Sequence, residues 1–348
     1  MNSKFARFLE KLPKVDLHCH LVGAMRSSTV LSLASANGLE FPGKTPENLY
    51  SYSDFYEFIE VYRFCGAVLN TASDFERVAY EALEDAFRYG NGKHVEIAVN
   101  PSDFLSRGIR YRDMADGLVA GLSAASRDFG VGGLIIASID REKSPSLAVD
   151  TVREVVSDRR DEIAGIGMDY AENKGAPSAF IEAYALAGKN GLHRTAHACE
   201  DYLTPDQAPP ANVLDCLDRL GCDRIDHGYN MLFDEQVVSI VRERRIPLTC
   251  CVVTSDLRRR DRRLQTVGTM VSEGLNVTIN TDDPAMFRTN LQHSWNELFS
   301  RFDWGPDQAR KFSLAGVEAS WLPADRKALL RDAFDKEISR LEVSLHSA

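Results

Sequence analysis

Two histidines, His18 and His20, lie one residue apart at the end of a strand-like segment that begins at Val15. Alternate residues of a strand point to the same face, so both imidazoles are expected to project together, at a spacing typical of metal ligands. Other side chains capable of chemistry follow short segments rich in β-branched residues; they are His197, Glu200, His227, Asp282 and Asp283. The pattern predicts that all of these side chains form one site.

Three imidazoles and one carboxylate suit a borderline divalent ion such as zinc or iron. Such an ion lowers the pKa of a bound water toward neutrality and so generates a hydroxide nucleophile. Glu200 follows His197 by three residues and is expected on the same side of a turn, where a carboxylic acid can protonate a reacting atom. We predict one divalent ion per chain, with Zn2+ favoured and Fe2+ left open.

The segments that must position these residues alternate between strand-like and helical patterns. The predicted strands are Val15–His20, His94–Val99, Gly132–Ile139, Gly165–Asp169, His193–Ala198, Arg224–His227, Ile246–Val252 and Asn276–Thr281. The predicted helices between them are Ser73–Tyr89, Tyr111–Phe129, Ser146–Arg159, Ala176–Asn190, Asn212–Leu220, Asp234–Arg244 and Gln265–Glu273. This alternation predicts an α/β fold of the (β/α)8 TIM barrel type. Catalytic groups of such barrels lie at the carboxyl ends of the strands, where His20, Asp169, His197, His227 and Asp282 fall.

No linker, low-complexity tract or repeat divides the chain, so residues 1–348 are predicted to form a single domain. The barrel is expected at about 13–300. Extra helices are expected after the first strand, at about 37–69, where aromatic side chains could form a lid over the barrel mouth. Further helices at about 306–346 are expected to pack on the outside of the barrel.

The composition limits the partners. A formal net charge of -10 disfavours a nucleic acid or an anionic membrane, so a small-molecule substrate is expected. No secretory-type segment and no run of about 18 apolar residues is present, and we expect a cytoplasmic protein. The 7 cysteines lack paired spacing and are expected to be reduced and buried. A homo-oligomer is left open.

Four ordered motifs run through the chain: PKVDLHCHL from Pro13 to Leu21, RTAHACE from Arg194 to Glu200, RIDHG from Arg224 to Gly228, and TINTDDP from Thr278 to Pro284. On these residues the chain resembles the adenosine and adenine deaminase family of the metal-dependent amidohydrolase superfamily, over nearly its whole length. The resemblance implies that the metal is bound by His18, His20, His197 and Asp282. It also implies that the catalytic groups are Glu200, His227 and Asp282.

The family's reaction is the hydrolytic deamination of a 6-aminopurine. The resemblance implies that Glu200 protonates the purine ring at N1 and that His227 orients the attacking water and helps to deprotonate it. It implies as well that Asp283 accepts a hydrogen bond involving N7. Attack at C6 then releases ammonia and leaves an oxo-purine.

Departures from the family pattern bear on the substrate. Val22 stands where adenosine deaminases usually carry an acidic residue for the ribose 5′-hydroxyl. Glu172 stands where the family has a small residue, and a glutamate there resembles the branch that acts on the free base; a solvated loop carboxylate is the alternative. Asp169 either contacts substrate or supports a neighbouring loop. Glu172 favours an adenine-like base, and Val22 points away from plain adenosine.

A basic run follows the seventh predicted strand, and its Arg258, Arg259 and Arg260 are candidates for an anion site, because loops at this end of such barrels often bind phosphate. A solvated helix start is the alternative. The run and Val22 keep open a second substrate class, an adenine nucleoside or nucleotide modified at N6 or on its 5′ side. A different hydrolase of this barrel type, cleaving an amide or phosphoester, and a catalytically silent relative are further alternatives. Glu200 with Asp282 and Asp283 favours deamination over both.

Overall fold

Parallel strands alternate with helices along the whole chain in a computed structural model, which describes residues 2–41, 43–53, 55–254 and 257–346, without the side chains of 55, 56, 257, 258 and 346. The strands are β1 Lys14–His20, β2 Gly92–Val99, β3 Gly132–Asp140, β4 Ile163–Asp169, β5 His193–Arg194, β6 His197–Ala198, β7 Ile225–His227, β8 Pro247–Cys251 and β9 Asn276–Asn280. The α-helices are α1 Ser3–Lys11, α2 Ser27–Ala36, α3 Phe55–Ala67, α4 Ala72–Gly90, α5 Pro101–Leu105, α6 Tyr111–Phe129, α7 Pro145–Ser157, α8 Ile181–Lys189, α9 Ala211–Leu214, α10 Glu235–Glu243, α11 Leu257–Ser272, α12 Leu291–Arg301, α13 Pro306–Ala319 and α14 Ala324–His346.

The strands form two parallel sheets, β1 to β5 and β6 to β9, in chain order. The predicted fifth strand is split: β5 pairs with β4, and β6 pairs with β7. The end of β9 returns to β1, because Asp282 N donates to His18 O at 2.9 Å and His20 N donates to Asp282 O at 2.8 Å. The predicted α/β barrel with eight strand positions is confirmed, and its strand bounds lie within about two residues of those predicted.

Most strands are buried almost throughout, β1 along its full length, because helices cover the outside of the barrel and side chains fill its interior. The short β5 is the exception, with His193 exposed. The end opposite the candidate site holds a buried ion pair. Arg224 Nη1 lies 2.6 Å from Glu96 Oε2, and Trp321 N donates to Glu96 Oε1 at 2.6 Å. Helix α13 ends at this layer, where Ala319 O accepts from Arg224 Nη1 at 3.4 Å. The Ser313 hydroxyl, in the middle of α13, donates to Pro13 O at 2.7 Å.

The segment around α3 packs across the opposite end of the barrel, the mouth. The Tyr52 hydroxyl donates to Met286 O in the loop after β9. The Phe58 and Phe287 rings lie with their centroids 5.4 Å apart. The lid-like region predicted at 37–69 includes residues 42 and 54, which fall outside the described residues, and the single-domain division stays a prediction. Within the described part of the chain, no helix combines the length and apolar character needed to cross a membrane.

Candidate active site

Three imidazoles and a carboxylate converge at the carboxyl ends of β1, β6 and β9. One ring nitrogen from each of His18, His20 and His197 lies within 4.8 Å of the others. Asp282 Oδ1 lies 3.2 Å from His18 Nε2 and 3.4 Å from His20 Nε2. A buried cluster of nitrogen donors with one carboxylate oxygen is the donor chemistry that zinc and similar ions take.

The backbone turns sharply at the ends of β4, β6, β7 and β9. Tyr170, Cys199, His227 and Asp282 have φ values of 65°, 58°, 70° and 67°. Such left-handed conformations are uncommon for residues other than glycine and cost of order 1–3 kcal/mol each. The surrounding packing must over-determine these turns, which is typical of residues held for a functional geometry.

Hydrogen bonds outside the cluster orient its histidines. The Thr249 hydroxyl donates to Asp226 Oδ1 at 2.6 Å, and its oxygen lies 3.0 Å from His18 Nδ1. Because the Thr249 hydroxyl proton is used in the bond to Asp226, His18 Nδ1 donates to the Thr249 oxygen and His18 Nε2 keeps its lone pair. His18 Nε2 makes no hydrogen bond to any described residue. An unpaired buried nitrogen aimed at the cluster fits a metal ligand.

A second support lies behind His20. Asn100 Nδ2 donates to Asp169 Oδ1 at 2.6 Å, and Asp169 Oδ2 lies 3.7 Å from His20 Nδ1. Burial raises the pKa of Asp169 to about 7, although the neighbouring His20 and the Asn100 amide oppose this shift. Asp169 lines the cavity and lies behind His20, and its contact with substrate stays a prediction.

The Tyr229 hydroxyl orients His227 as a hydrogen-bond acceptor, because its own proton is donated elsewhere. Tyr229 donates to Cys251 O at 2.9 Å, so its oxygen, 3.3 Å from His227 Nδ1, acts as an acceptor. His227 Nε2 is therefore the lone-pair nitrogen, and it has no hydrogen-bond partner among the described residues. Burial in the barrel interior lowers the pKa of His227 well below its usual value. A neutral imidazole with a free lone pair is suited to accept a proton.

Two carboxyl groups with raised pKa values face the same cavity. Burial raises the pKa of Glu200 to about 7 despite the nearby Arg263, and Glu200 Oε2 lies 3.7 Å from His227 Nε2. Burial and the charge of Asp282 raise the pKa of Asp283 to about 7. Asp283 Oδ1 makes no hydrogen bond to a described residue. Such groups can give or take protons near neutral pH.

A cavity of about 1170 Å³ opens above these groups. Its floor includes His20, His197, Glu200, His227, Asp282 and Asp283. Aromatic side chains from the lid segment and from the loops after β4 and β9 line its walls; they are Phe58, Tyr62, Tyr170 and Phe287. Five lysine and arginine side chains also line it, namely Arg63, Lys174, Arg259, Arg262 and Arg263. A concave site with an apolar wall and convergent polar groups is typical of a small-molecule site.

Two residues predicted to contact substrate lie elsewhere. Val22 is buried in the apolar core and is not among the cavity-lining residues, because the chain turns directly after β1, where Ala24 N donates to His20 O at 2.9 Å. Glu172 is also buried and does not line the cavity. For both residues the predicted substrate contact is corrected by the position of the side chain.

The Glu172 carboxylate is instead bound to the loop that carries Glu200. Its Oε1 accepts hydrogen bonds from Cys199 N at 2.9 Å and from Asn212 Nδ2 at 2.8 Å. Its Oε2 accepts from Glu200 N at 3.2 Å. The carboxylate therefore satisfies two backbone donors at the sharp turn after β6.

The arginines predicted to form an anion site do not lie together at the cavity. The side chain of Arg258 falls outside the described residues. Arg259 lines the cavity and donates to Thr254 Oγ1 at 3.1 Å. Arg260 does not line it and forms an ion pair with Glu297 on α12. The structure therefore places one of the three arginines, Arg259, at the cavity.

Sequence reasoning missed several residues that support the site. Asp226 and Tyr229 flank His227 and act behind His18 and His227. Arg263, at the end of the basic run, contacts Glu200 and Asp201. One signal was available: Arg263 lies four residues after Arg259, so both share a face of α11.

The fold and the site together define the class of protein, an α/β barrel hydrolase with a histidine-rich metal site at the strand ends. The profile of the adenosine deaminase family matches residues 13–337. The chain belongs to this family, and the resemblance seen in the four motifs is confirmed.

Two proteins of similar sequence are adenine deaminases. One from Streptomyces coelicolor is 32% identical, with 95% of this chain and 97% of that protein covered. One from Vibrio parahaemolyticus is 29% identical, with 96% and 98% covered. Each spans nearly the whole of both chains.

Two solved structures resemble the chain throughout. An amidohydrolase from Burkholderia ambifaria with bound zinc is 34% identical, with a TM-score of 0.92 and with 100% of this chain and 96% of that one covered. An adenine deaminase from Arthrobacter aurescens is 30% identical, with a TM-score of 0.85 and with 94% and 98% covered.

Proposed function

We propose that this protein is a metal-dependent aminohydrolase that converts an adenine-like 6-aminopurine and water into the 6-oxopurine and ammonia. The observation that carries the proposal is the arrangement of Glu200, His227 and Asp283 around one cavity, directly above His18, His20, His197 and Asp282. Proton donors and acceptors thereby face a single reacting position. The similar adenine deaminases support the free base as the preferred substrate.

The metal in this proposal is one zinc ion, held by His18, His20, His197 and Asp282. The zinc bound in the Burkholderia ambifaria amidohydrolase supports this choice, and the donor set of this chain fits it. When bound, the ion supplies Lewis acidity that makes water a nucleophile near neutral pH.

The side chains of this chain then move the protons. His227 Nε2 takes a proton from the attacking water, while Glu200 Oε2 gives a proton to ring nitrogen N1 and so makes C6 electrophilic. Asp283 holds the N7 side of the ring by a hydrogen bond. The proton on His227 passes to the exocyclic nitrogen, ammonia leaves, and the remaining water proton restores Glu200.

A second candidate substrate is an adenine derivative that carries an anionic group. The observation that favours it is the cavity itself, whose volume of about 1170 Å³ exceeds the range of about 300–1,000 Å³ usual for small-ligand pockets. Arg63, Lys174, Arg259 and Arg262 line it. No observation favours cleavage of an amide or phosphoester, and the complete set of site residues argues against a silent relative. Cytoplasmic location and a homo-oligomeric state stay predictions.

The deciding experiment is ammonia release by the zinc-loaded protein, measured as kcat/KM for adenine, adenosine, AMP and their N6-substituted forms. Adenine as the best substrate is the expected result. A preference for AMP that Arg259→Met abolishes would establish the second candidate. Absence of ammonia from all of them, with one zinc ion bound per chain, would contradict the deaminase proposal.

A further inference from the structure

The last arginine of the basic run has a different environment from its neighbours. Arg263 lies on α11, and its side chain is only 1% exposed. Arg260, three residues earlier, pairs with Glu297 at the outer side of the barrel. A buried guanidinium is costly unless every donor is paired, so the position of Arg263 inside the barrel requires specific partners.

All three guanidinium nitrogens of Arg263 have partners. Nη2 lies 2.5 Å from Glu200 Oε1, and Nε lies 2.7 Å from Asp201 Oδ1. Nη1 donates to Cys251 O at 3.3 Å. The group also lies over the Tyr229 ring, 4.9 Å from its centroid. A planar fork held at three nitrogens and against a ring has little freedom to move.

This arrangement distinguishes the two oxygens of Glu200. Oε1 is taken by Arg263, whereas Oε2 lies 3.7 Å from His227 Nε2, at the cavity floor. The backbone of Glu200 is fixed as well, since its N–H donates to Glu172 and its carbonyl accepts from Asn230 Nδ2 at 3.2 Å. With the main chain held, Arg263 is the contact that sets the rotation of the carboxyl group.

We infer that Arg263 is a positioning residue for deamination: it holds Glu200 Oε1 so that Oε2 alone meets the ring nitrogen of the substrate. Asp201 has a part in this arrangement, because its contact with Nε orients the guanidinium that reaches Glu200. The inference rests on the proposed function for its chemical meaning. Its geometric content, the fixed orientation of Glu200, stands on the contacts of Arg263.

The first test is a double-mutant cycle with Arg263→Met, Glu200→Gln and the double variant, assayed with adenine. Misplacing a catalytic group by about 1 Å can cost about 100-fold, so Arg263→Met is expected to lower kcat by ~10- to 100-fold and to change KM by less than ~3-fold. Adding Arg263→Met to Glu200→Gln should then change kcat by less than ~3-fold, because residues that act through one another are not additive. Full additivity of the two losses would overturn the inference.

Matched variants separate positioning from folding. Arg260→Met removes an arginine from the same helix and should leave kcat unchanged. Arg263→Lys keeps the charge but cannot hold Glu200 and Asp201 together, so it should recover only part of the lost kcat; it also replaces Arg263→Met in the cycle if that variant does not fold. Full activity of Arg263→Lys would show that charge alone suffices and would refute the geometric role.

A crystal structure of Arg263→Met tests whether Arg263 sets the orientation of the Glu200 carboxyl group, and it needs no activity measurement. Rotation of the Glu200 carboxyl group away from His227, with zinc still bound, is expected. A Glu200 carboxyl group that keeps its orientation would overturn the inference. If the wild-type protein released no ammonia from any purine, the proposed function would fail, and this comparison would still decide what Arg263 does.

Discussion

At the residue scale, the site depends on carboxyl groups whose environments give them different tasks. Asp282 is buried, yet the neighbouring His18 and His20 outweigh that burial and hold its pKa well below the usual range. Burial raises the pKa values of Glu200 and Asp283 to about 7. Such a separation of pKa values between neighbouring carboxyl groups supports the proposed roles, with Asp282 as a metal ligand and with Glu200 and Asp283 as groups that exchange protons.

The first prediction concerns Glu200 as the proton donor. Glu200→Gln keeps the size and the contact with Arg263 but cannot supply a proton, so kcat should fall by about 100-fold or more. Bound zinc should stay at one ion per chain, which atomic absorption measures alongside ammonia release. His18→Ala is the matched contrast and should lose zinc together with activity. Turnover of Glu200→Gln at the wild-type rate would remove Glu200 from the mechanism.

The second prediction separates the two roles considered for Glu172. In Glu172→Gln an amide replaces an oxygen that accepts from Cys199, Glu200 or Asn212, so a buried donor loses its acceptor at a cost of about 1–3 kcal/mol of stability. We expect a lower melting temperature and a lower kcat, with the ratio of kcat/KM for adenine over adenosine unchanged within ~3-fold. A collapse of that ratio would restore Glu172 as a substrate contact.

At the element scale, the turn after β1 and the turn after β9 touch without space between them. A Cβ atom added to Gly23 would lie 1.9 Å from Asp283 Oδ1 and 2.5 Å from Asp283 Cβ. The same turns are joined by Ala285 N, which donates to Gly23 O at 2.9 Å. Only glycine allows the loop after β9 to place Asp283 against β1.

The third prediction follows from this close approach. Gly23→Ala should displace Asp283 and lower kcat/KM for adenine by at least about 10-fold, as expected when a substrate contact shifts by an ångström. Gly305→Ala is the matched control, since a Cβ there meets nothing within 4 Å. Steady-state kinetics of the two variants, with zinc content measured in parallel, checks this. Equal activity of the Gly23→Ala and Gly305→Ala variants would show that the loop after β9 accommodates the added Cβ atom without displacing Asp283 from the substrate.

The strands were predictable because each is a short apolar segment between turn residues, and the helix Tyr111–Phe129 was predicted to the residue. The break between β5 and β6 was not predictable, because Thr195 and Ala196 continue the strand pattern. The break arises because β5 pairs with β4 whereas β6 pairs with β7. Helices α1, α2, α5 and α12 were missed. The errors at Val22 and Glu172 lie in loops, whose length and path vary more than those of the strands and helices that they connect.

At the scale of the whole molecule, the barrel separates chemistry from stability. The mouth carries strained turns, raised pKa values and a wide cavity, whereas the opposite end is closed by Glu96, Arg224 and Trp321. The Arg224 guanidinium lies 3.9 Å from the centre of the Trp321 ring and donates to Leu17 O at 3.0 Å. It thereby links the C-terminal helices to β1 and β2. This division is expected of such barrels, where the amino-terminal face of the strands serves stability.

The last prediction tests the stabilising end of the barrel. Burial alone would raise the pKa of Glu96, but Arg224 and the hydrogen bonds from His94 and Trp321 outweigh it and lower the pKa from 4.5 to about 2. Breaking a buried ion pair by removing one charge costs about 3–5 kcal/mol. Glu96→Gln should therefore be less stable than wild type by about this amount at pH 7, with kcat little changed in the folded fraction.

The contribution of Glu96 to the free energy of unfolding is expected to depend on pH. Because the pKa of Glu96 is depressed in the folded state, its stabilising contribution is complete above about pH 4.5 and is lost as the pH falls toward 2. The difference in unfolding free energy between wild type and Glu96→Gln, measured by urea denaturation, should shrink over that interval. Glu154→Gln, at an exposed position on α7, should show little difference at any pH. A wild-type to Glu96→Gln difference that stays constant down to pH 2 would mean that Glu96 is not ionised against Arg224, and that packing alone closes this end of the barrel.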